Sequence, residues 1–284
     1  MVENKGFEIS MLRKSAEAGD AEAQLVLGKR YKSGSGVEQS HEQAASWYCK
    51  AAEQGHAKAQ CSLALCYSKG EGVEKSDEQA MYWFGKAAEQ GNKGAQLKMV
   101  ICYLTGEGVE KNREQAAYWL GKVAEQGDAW AQFTLGTFYA SGSGVEKNDE
   151  QALHWFGKAA EQGSADAQCA LGICYLKGES VEKNFEQAAY YFGKAAEQGN
   201  VSAQVVFGTC YAHGGGVEQS DEQAAYWFAK AAEQGDADAQ HEMGGYYSAG
   251  LGVEKNQEQA IYWWRKAAEQ GHEDAQKCLT EYGA

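Results

Sequence analysis

Apolar residues recur along the chain at the spacing of one helix face, stop, and recur on a second face. In the first stretch alanine, then leucine, methionine or phenylalanine, then tyrosine fall at i, i+4 and i+8, as at Ala23, Leu27 and Tyr31. In the second, Ala44, Trp47, Tyr48 and Ala51 share a face. The spacing predicts two helices with a loop between them. The first begins at Asp20, His56, Asn92, Asp128, Ser164, Asn200 or Asp236, mostly good N-cap residues, and stops at a glycine pair such as Gly34 and Gly36, with Val37 following. The second begins at Ser40, Ser76, Asn112, Asn148, Asn184, Ser220 or Asn256, each with glutamine three residues later, which predicts a capping box. Gly55 closes it.

This pattern repeats without drift. Ala-Glu-Gln-Gly recurs with its glycine at 55, 91, 127, 163, 199, 235 and 271, always 36 residues apart, and Gly19 continues the series backwards. Residues 20–271 are therefore seven units with no insertion or deletion. One helical hairpin cannot hide both faces of its second helix, so each unit must stack on the next. The expectation is an all-α solenoid over residues 1–284: a capping helix in 1–19, seven repeats in 20–271 and a capping helix in 272–284.

Composition narrows the partners. The 284 residues hold no proline and 35 glycines, and 26 Lys and Arg against 40 Asp and Glu leave a net charge of -14. That sign repels phosphate backbones and anionic lipid, so neither nucleic acid nor a membrane surface is expected as a direct partner. Eight cysteines are too few for a disulfide-dependent scaffold at this length. No apolar run approaches a membrane span. The N-terminus shows no signal peptide, which predicts a cytoplasmic protein, or a periplasmic or secreted one whose leader has been removed.

The motif Ala-Gln-x-x-Leu-Gly-x-x-Tyr-x-x-Gly-x-Gly-Val, followed by Gln-Ala-x-x-Trp-Phe-x-Lys-Ala-Ala-Glu-x-Gly, resembles the Sel1-like repeat over nearly the whole chain. The related tetratricopeptide repeat has a shorter unit and usually a proline, absent here. The resemblance implies a right-handed α/α superhelix with the first helix (A) of each unit on the inner surface, acting as a scaffold or adaptor and not as an enzyme. In disulfide-bearing relatives a cysteine eight residues upstream would bridge Cys61 or Cys169. Glu53 and Glu161 stand there, so the resemblance implies free thiols and a reducing compartment.

Each chemical signal has a structural explanation. Ser180-Val181-Glu182-Lys183 matches the Ser-x-x-Lys of penicillin-binding enzymes, and β-lactamase activity has been attributed to some cysteine-rich relatives. Other units read Gly-Val-Glu-Lys at this loop, and neither Ser-Asp-Asn nor Lys-Thr-Gly is present. Loops such as Lys69-Gly70-Glu71-Gly72 lack the ending of a phosphate cradle. The six histidines do not cluster at ligand spacing, so neither metal nor cofactor is expected. Glutamates at 42, 78, 114, 150, 186, 222 and 258 and lysines at 50, 86, 122, 158, 194, 230 and 266 suit opposite ends of the second helix (B) dipole. Cys66, Cys102, Cys174 and Cys210 share a slot with Phe138 and Tyr246, which marks it as a packing position.

Positions that vary between units are released from the repeat. In helix A these are slots such as Leu25, Lys29 and Lys32, predicted to face away from the Ala-Leu-Tyr stripe. Mid-chain they are apolar: Cys61 and Leu65, then Leu97, Ile101, Leu104, Phe133, Cys169, Ile173, Leu176 and Val205, with polar Lys29, Lys32, His241 and Ser248 at the ends. An apolar stripe with polar ends predicts a groove for a polypeptide segment on a chain that is a monomer when unbound. The competing arrangement is that curvature packs these residues on one another. Other functional readings are an enzyme or regulatory module with a small-ligand pocket between units, and an immunity or inhibitor protein for a toxin. Finally, Val100 replaces the glycine found at 28, 136, 172, 208 and 244, beside Gly94, Met99 and Val123, which predicts a hairpin opened or re-angled around residues 92–127.

Overall fold

The structure, a computed structural model, describes residues 2–178 and 180–283, with side chains from residue 8 onward. Among these the chain is helical, without strands. After α1 (Val2–Glu17) come α2 (Ala21–Ser33) and α3 (His41–Glu53), α4 (Ala57–Lys69) and α5 (Asp77–Glu89), α6 (Lys93–Thr105) and α7 (Arg113–Glu125), then α8 (Ala129–Ser141) and α9 (Asp149–Glu161). They continue as α10 (Ala165–Lys177) and α11 (Phe185–Glu197), α12 (Val201–His213) and α13 (Asp221–Glu233), α14 (Ala237–Ala249) and α15 (Gln257–Glu269), ending with α16 (Glu273–Glu281). Even-numbered helices from α2 to α14 are the A helices and odd-numbered ones from α3 to α15 the B helices. The chain forms two compact units, Met1–Lys147 and Asn148–Ala284. No helix among the described residues is long and apolar enough to cross a membrane.

The helix starts follow the N-cap side chains. Asp20 Oδ1 accepts from the Ala23 amide at 2.8 Å, and Ser40 Oγ from the Gln43 amide at 3.2 Å. The predicted capping boxes form only by half. The Ser40 amide, which a reciprocal glutamine would need, donates instead to the carbonyl of Tyr31 at 3.0 Å, and Ser76 and Asn112 donate likewise to Tyr67 and Tyr103. The tyrosine that packs helix A thus also closes the loop to helix B. Within that loop the second glycine lies against the preceding B helix. A Cβ on Gly72 or Gly216 would overlap the carbonyl oxygen of His41 or Phe185. In the fifth repeat Ser180 holds this slot at φ +56°, in the left-handed region that side chains disfavour.

One buried glutamine per helix A sets the spacing of its neighbours. Gln24, Gln60, Gln96, Gln132, Gln168, Gln204 and Gln240 are all buried. Each donates through Nε2 to a carbonyl in the last turn of the preceding helix, α1 or a B helix, from Ala16 for Gln24 to Ala232 for Gln240, at 3.0–3.3 Å. In six of them, Gln24, Gln60, Gln96, Gln168, Gln204 and Gln240, Oε1 accepts from the glutamine that ends the following B helix, at 2.7–2.9 Å.

Between helices A and B the crossing is tight. A Cβ on Gly28 would lie 2.6 Å from Tyr48 Cε1, and one on Gly172 the same distance from Phe192. Where the sequence predicts an opened or re-angled hairpin around Val100, helices α6 and α7 touch each other less extensively than do α2 and α3, α4 and α5, α10 and α11, α12 and α13, or α14 and α15. Helices α6 and α7 keep the caps, lengths and glutamine bonds of the others, and Val100 is fully buried. On the partner helix Leu120, also fully buried, stands in the slot that holds Tyr48, Phe84, Phe192, Phe228 and Trp264 elsewhere. Part of the volume added on helix A is removed from helix B. The tryptophan one residue earlier packs backwards: Trp47 lies on Leu12, Ala16 and Leu27, and Trp83 on the cluster around Tyr48 and Leu63.

All eight cysteines are free thiols. Cys66, Cys102 and Cys210 are buried in the predicted packing slot. Burial pushes their thiols, and those of Cys61 and Cys169, above the ordinary range. Tyr48 is pushed up to about 12, first by burial and then by Cys66 and Glu71.

Three outcomes follow from this packing. Val100→Gly should cost roughly 2–4 kcal/mol, because a cavity joins the helical penalty of glycine. Adding Leu120→Phe should recover about half or more of it, read from urea midpoints, whereas additive losses would disprove the volume exchange. Ser180→Gly should stabilise by roughly 0.5–1 kcal/mol, since relief of the left-handed backbone exceeds the entropy that glycine adds to the unfolded chain. An unchanged or lower midpoint would remove the strain argument. The buried thiols should resist iodoacetamide near neutral pH and react once denatured. A raised thiol pKa means that the folded state keeps a proton the unfolded chain releases. Stability should therefore be intact below the ordinary thiol range and fall as pH climbs above about 8.5, which urea titrations at neutral and alkaline pH will show.

Candidate interaction surfaces

The predicted helix-A stripe separates into slots with different fates. The slot of Leu25 faces the next A helix, since a Cβ on Gly94 of α6 would sit 3.9 Å from Cys61 Sγ of α4. Leu25 is accordingly 0% exposed and Cys169 7%, which corrects the expectation that both lie on an open face. Cys61, Leu97, Phe133 and Val205 in this slot are half-buried, Val205 against the core of α13 and α14. For this slot, packing between neighbouring helices accounts for the apolar character. The next slot is open: Ile101 is 40% and Ile173 37% exposed, while Leu65 is half-buried. Leu104 and Leu176 are half-buried in the third slot, Leu176 against the core that contains Phe192 and Phe207.

Ile101 borders a narrow cleft with Met81, Phe84 and Lys98, closed by Asp77 and Glu107. Its volume of about 20 Å³ admits a water molecule and no substrate. A wider depression, about 870 Å³, lies between α1 and the 36–43 loop, where Arg13 donates to the Tyr31 hydroxyl at 2.8 Å. No histidine or cysteine lines it. At the Ser-x-x-Lys sequence, Ser180 is exposed and the Lys183 ammonium lies over the Phe185 ring at 4.6 Å.

Two arrangements were not foreseen. His241 and His272, separated by thirty-one residues, stack at 4.6 Å with an interplanar angle of 15°. His272 caps α16 by accepting from the Ala275 amide at 3.3 Å, and its Nε2 lies 3.3 Å from Asp238. His241 is held below the ordinary histidine range, by burial first and then by His272. The histidines are thus not all dispersed, because stacking of α14 against the start of α16 joins residues the sequence keeps apart.

The second arrangement is on the B helices. Tyr82 and Tyr118 in the first unit, and Tyr190, Tyr226 and Tyr262 in the second, occupy one repeat slot and are 46 to 54% exposed. Each stands edge-on to the following aromatic residue at 4.9–5.2 Å. Over each ring, at 4.6–5.8 Å, lies the lysine four residues on. The recurrence of tyrosine before tryptophan, or before Tyr191 in the fifth repeat, is visible in the sequence.

The Sel1 repeat model matches the chain at residues 21–56, 57–92, 95–128, 131–164, 165–200, 201–236 and 237–272. Among solved structures the chain is similar to a protective antigen present in uropathogenic Escherichia coli strains that displays an SLR fold. Identity is 37% and the TM-score 0.83, over 97% of this chain and 60% of the antigen. It is also similar to a Sel1 repeat protein from Oxalobacter formigenes, at 37% identity and a TM-score of 0.72, over 96% of this chain and 79% of that one. The chain thus spans about 60% of the length of the E. coli antigen. No curated protein shows significant similarity to it. Seven matches in the register of the A and B helices, with two structural relatives above a third identical, place this all-α solenoid in the Sel1 repeat family.

Proposed function

We propose that this protein is a non-catalytic interaction module that holds a polypeptide segment on its helix-A faces. Sel1 repeat proteins generally mediate protein–protein interactions. The observation that carries the reading here is the exposure of Ile101 and Ile173 in the same slot of two repeats. The fold does not require isoleucine there, because Thr137 and Thr209 occupy the equivalent positions. Around these two, Leu65, Leu97, Leu104 and Phe133 in the first unit, and Leu176 and Val205 in the second, offer partly exposed apolar edges. The segment recognised is one with an apolar side, taken up by burial of these edges.

Immobilised protein should capture a defined partner from lysate, identified by mass spectrometry. Ile101→Asp with Ile173→Asp should abolish capture while helicity is retained and the melting temperature moves by only a few degrees, as at exposed positions. Undiminished capture would refute the site. A large loss of stability would show that both side chains belong to the core.

A further inference from the structure

We propose that the helix-B surface carries binding clefts for arginine side chains of a basic polypeptide, the principal one between α5 and α7 and a weaker copy between α9 and α11. The inference is independent of the helix-A face. It starts from the exposed tyrosines. Ser46 and His154 occupy the same slot on B helices of unchanged length and capping, so stacking of the repeats does not require tyrosine there. Half-exposed rings retained in five of seven units are surface chemistry.

Between α5 and α7 a cleft of about 280 Å³ has Tyr118, Trp119 and Lys122 on one wall and Ala88 and Glu89 on the other, with Glu125 at the end. The 2.7 Å bond from Gln126 to Gln96 closes its floor. Between α9 and α11 a cleft of about 220 Å³ repeats the design with Tyr190, Tyr191 and Lys194 facing Gly157 and Glu161. Both fall below the roughly 300–1,000 Å³ of small-molecule sites, and suit one long side chain.

The lining defines the charge of that side chain. Aromatic faces attract cations, and the protein's own lysines already lie over the rings, Lys122 over Tyr118 at 5.8 Å and Lys194 over Tyr190 at 4.6 Å. In the first cleft Glu89 and Glu125 outnumber Lys122, whereas in the second Glu161 and Lys194 balance, which ranks the first as the stronger. The chain's charge of -14 acts in the same direction at longer range. A planar guanidinium stacks on a ring and bonds a carboxylate together, which a compact ammonium does less well, so arginine should displace the resident lysine. In the wall of the first cleft the indole N–H of Trp119, a residue only 8% exposed, makes no hydrogen bond. Trp227 and Trp263 in the second unit likewise have unpaired indole N–H groups.

Calorimetry at low salt with a short amidated peptide of alternating arginine and glycine tests this directly. The peptide should bind, its citrulline counterpart should not, and added salt should weaken binding. Tyr118→Ser, which installs the residue native to position 46, should weaken binding roughly tenfold with helicity and melting temperature unchanged. Glu89→Gln should act in the same direction, and Lys122→Met should strengthen binding severalfold by removing the competing cation. Tyr190→Ser should have the smaller effect. Equal binding of the citrulline peptide, unchanged affinity in Tyr118→Ser, weaker binding in Lys122→Met or preferential binding of a glutamate peptide would each overturn the proposal.

Discussion

A buried carboxamide at the junction of three helices governs the rest of this structure. The Gln24-type side chain reaches back to a carbonyl in the last turn of a helix, adding a second bond to the one that carbonyl accepts from the closing glycine amide. Where a bond to the carboxamide's own oxygen is seen, it comes from the glutamine that ends the next B helix. An amide buried without partners costs on the order of 1–3 kcal/mol, so the bonds are needed as well as favourable. The bonds connect residues 8 and 30 positions apart. A residue inserted into either helix would misplace one end of the link, which gives a physical reason for the absence of insertions across seven units.

With helix spacing held by these bonds, side-chain volume has to be settled inside each hairpin. Most repeats place glycine on helix A beneath a large ring on helix B, the second places Ala64 beneath Phe84, and the third has Val100 with Leu120. Correlated change within one chain supports contact in the same way as correlated change between homologues. The serine at 180 shows the opposite case, in which no partner residue relieves a backbone torsion. A side chain at φ +56° remains strained whatever its neighbours do.

Periodicity made the helices, their caps and their glycine stops legible, because all of these depend on residues a few positions apart. What it could not show depends on how hairpins lie on one another. Leu25 and Cys169 fall on a variable face of an isolated helix A, yet the following A helix covers their slot, while Ile101 and Ile173 one turn on remain open. The capping boxes failed for a related reason, since the tyrosine carbonyl of helix A takes the amide that glutamine would have bonded. Likewise His241 and His272 meet only because α14 stacks on the start of α16.

Recurrence in every unit argues that a residue serves the fold, and for the Gln24 column burial agrees. The tyrosines on the B helices recur almost as regularly, and half of each ring remains in solvent. Exposure therefore separates two causes of repetition that sequence spacing merges. A buried recurrent residue is required by every interface in the stack. An exposed one is free to vary, as Ser46 and His154 demonstrate, so its retention elsewhere calls for a cause outside the core. A repeated surface group also acts differently from a single one. Several weak sites on one chain raise the effective concentration of a linked ligand at each further site, so modest individual affinities multiply. In a solenoid, where each repeat stabilises mainly its neighbours, such a ladder is obtained without any change to the core.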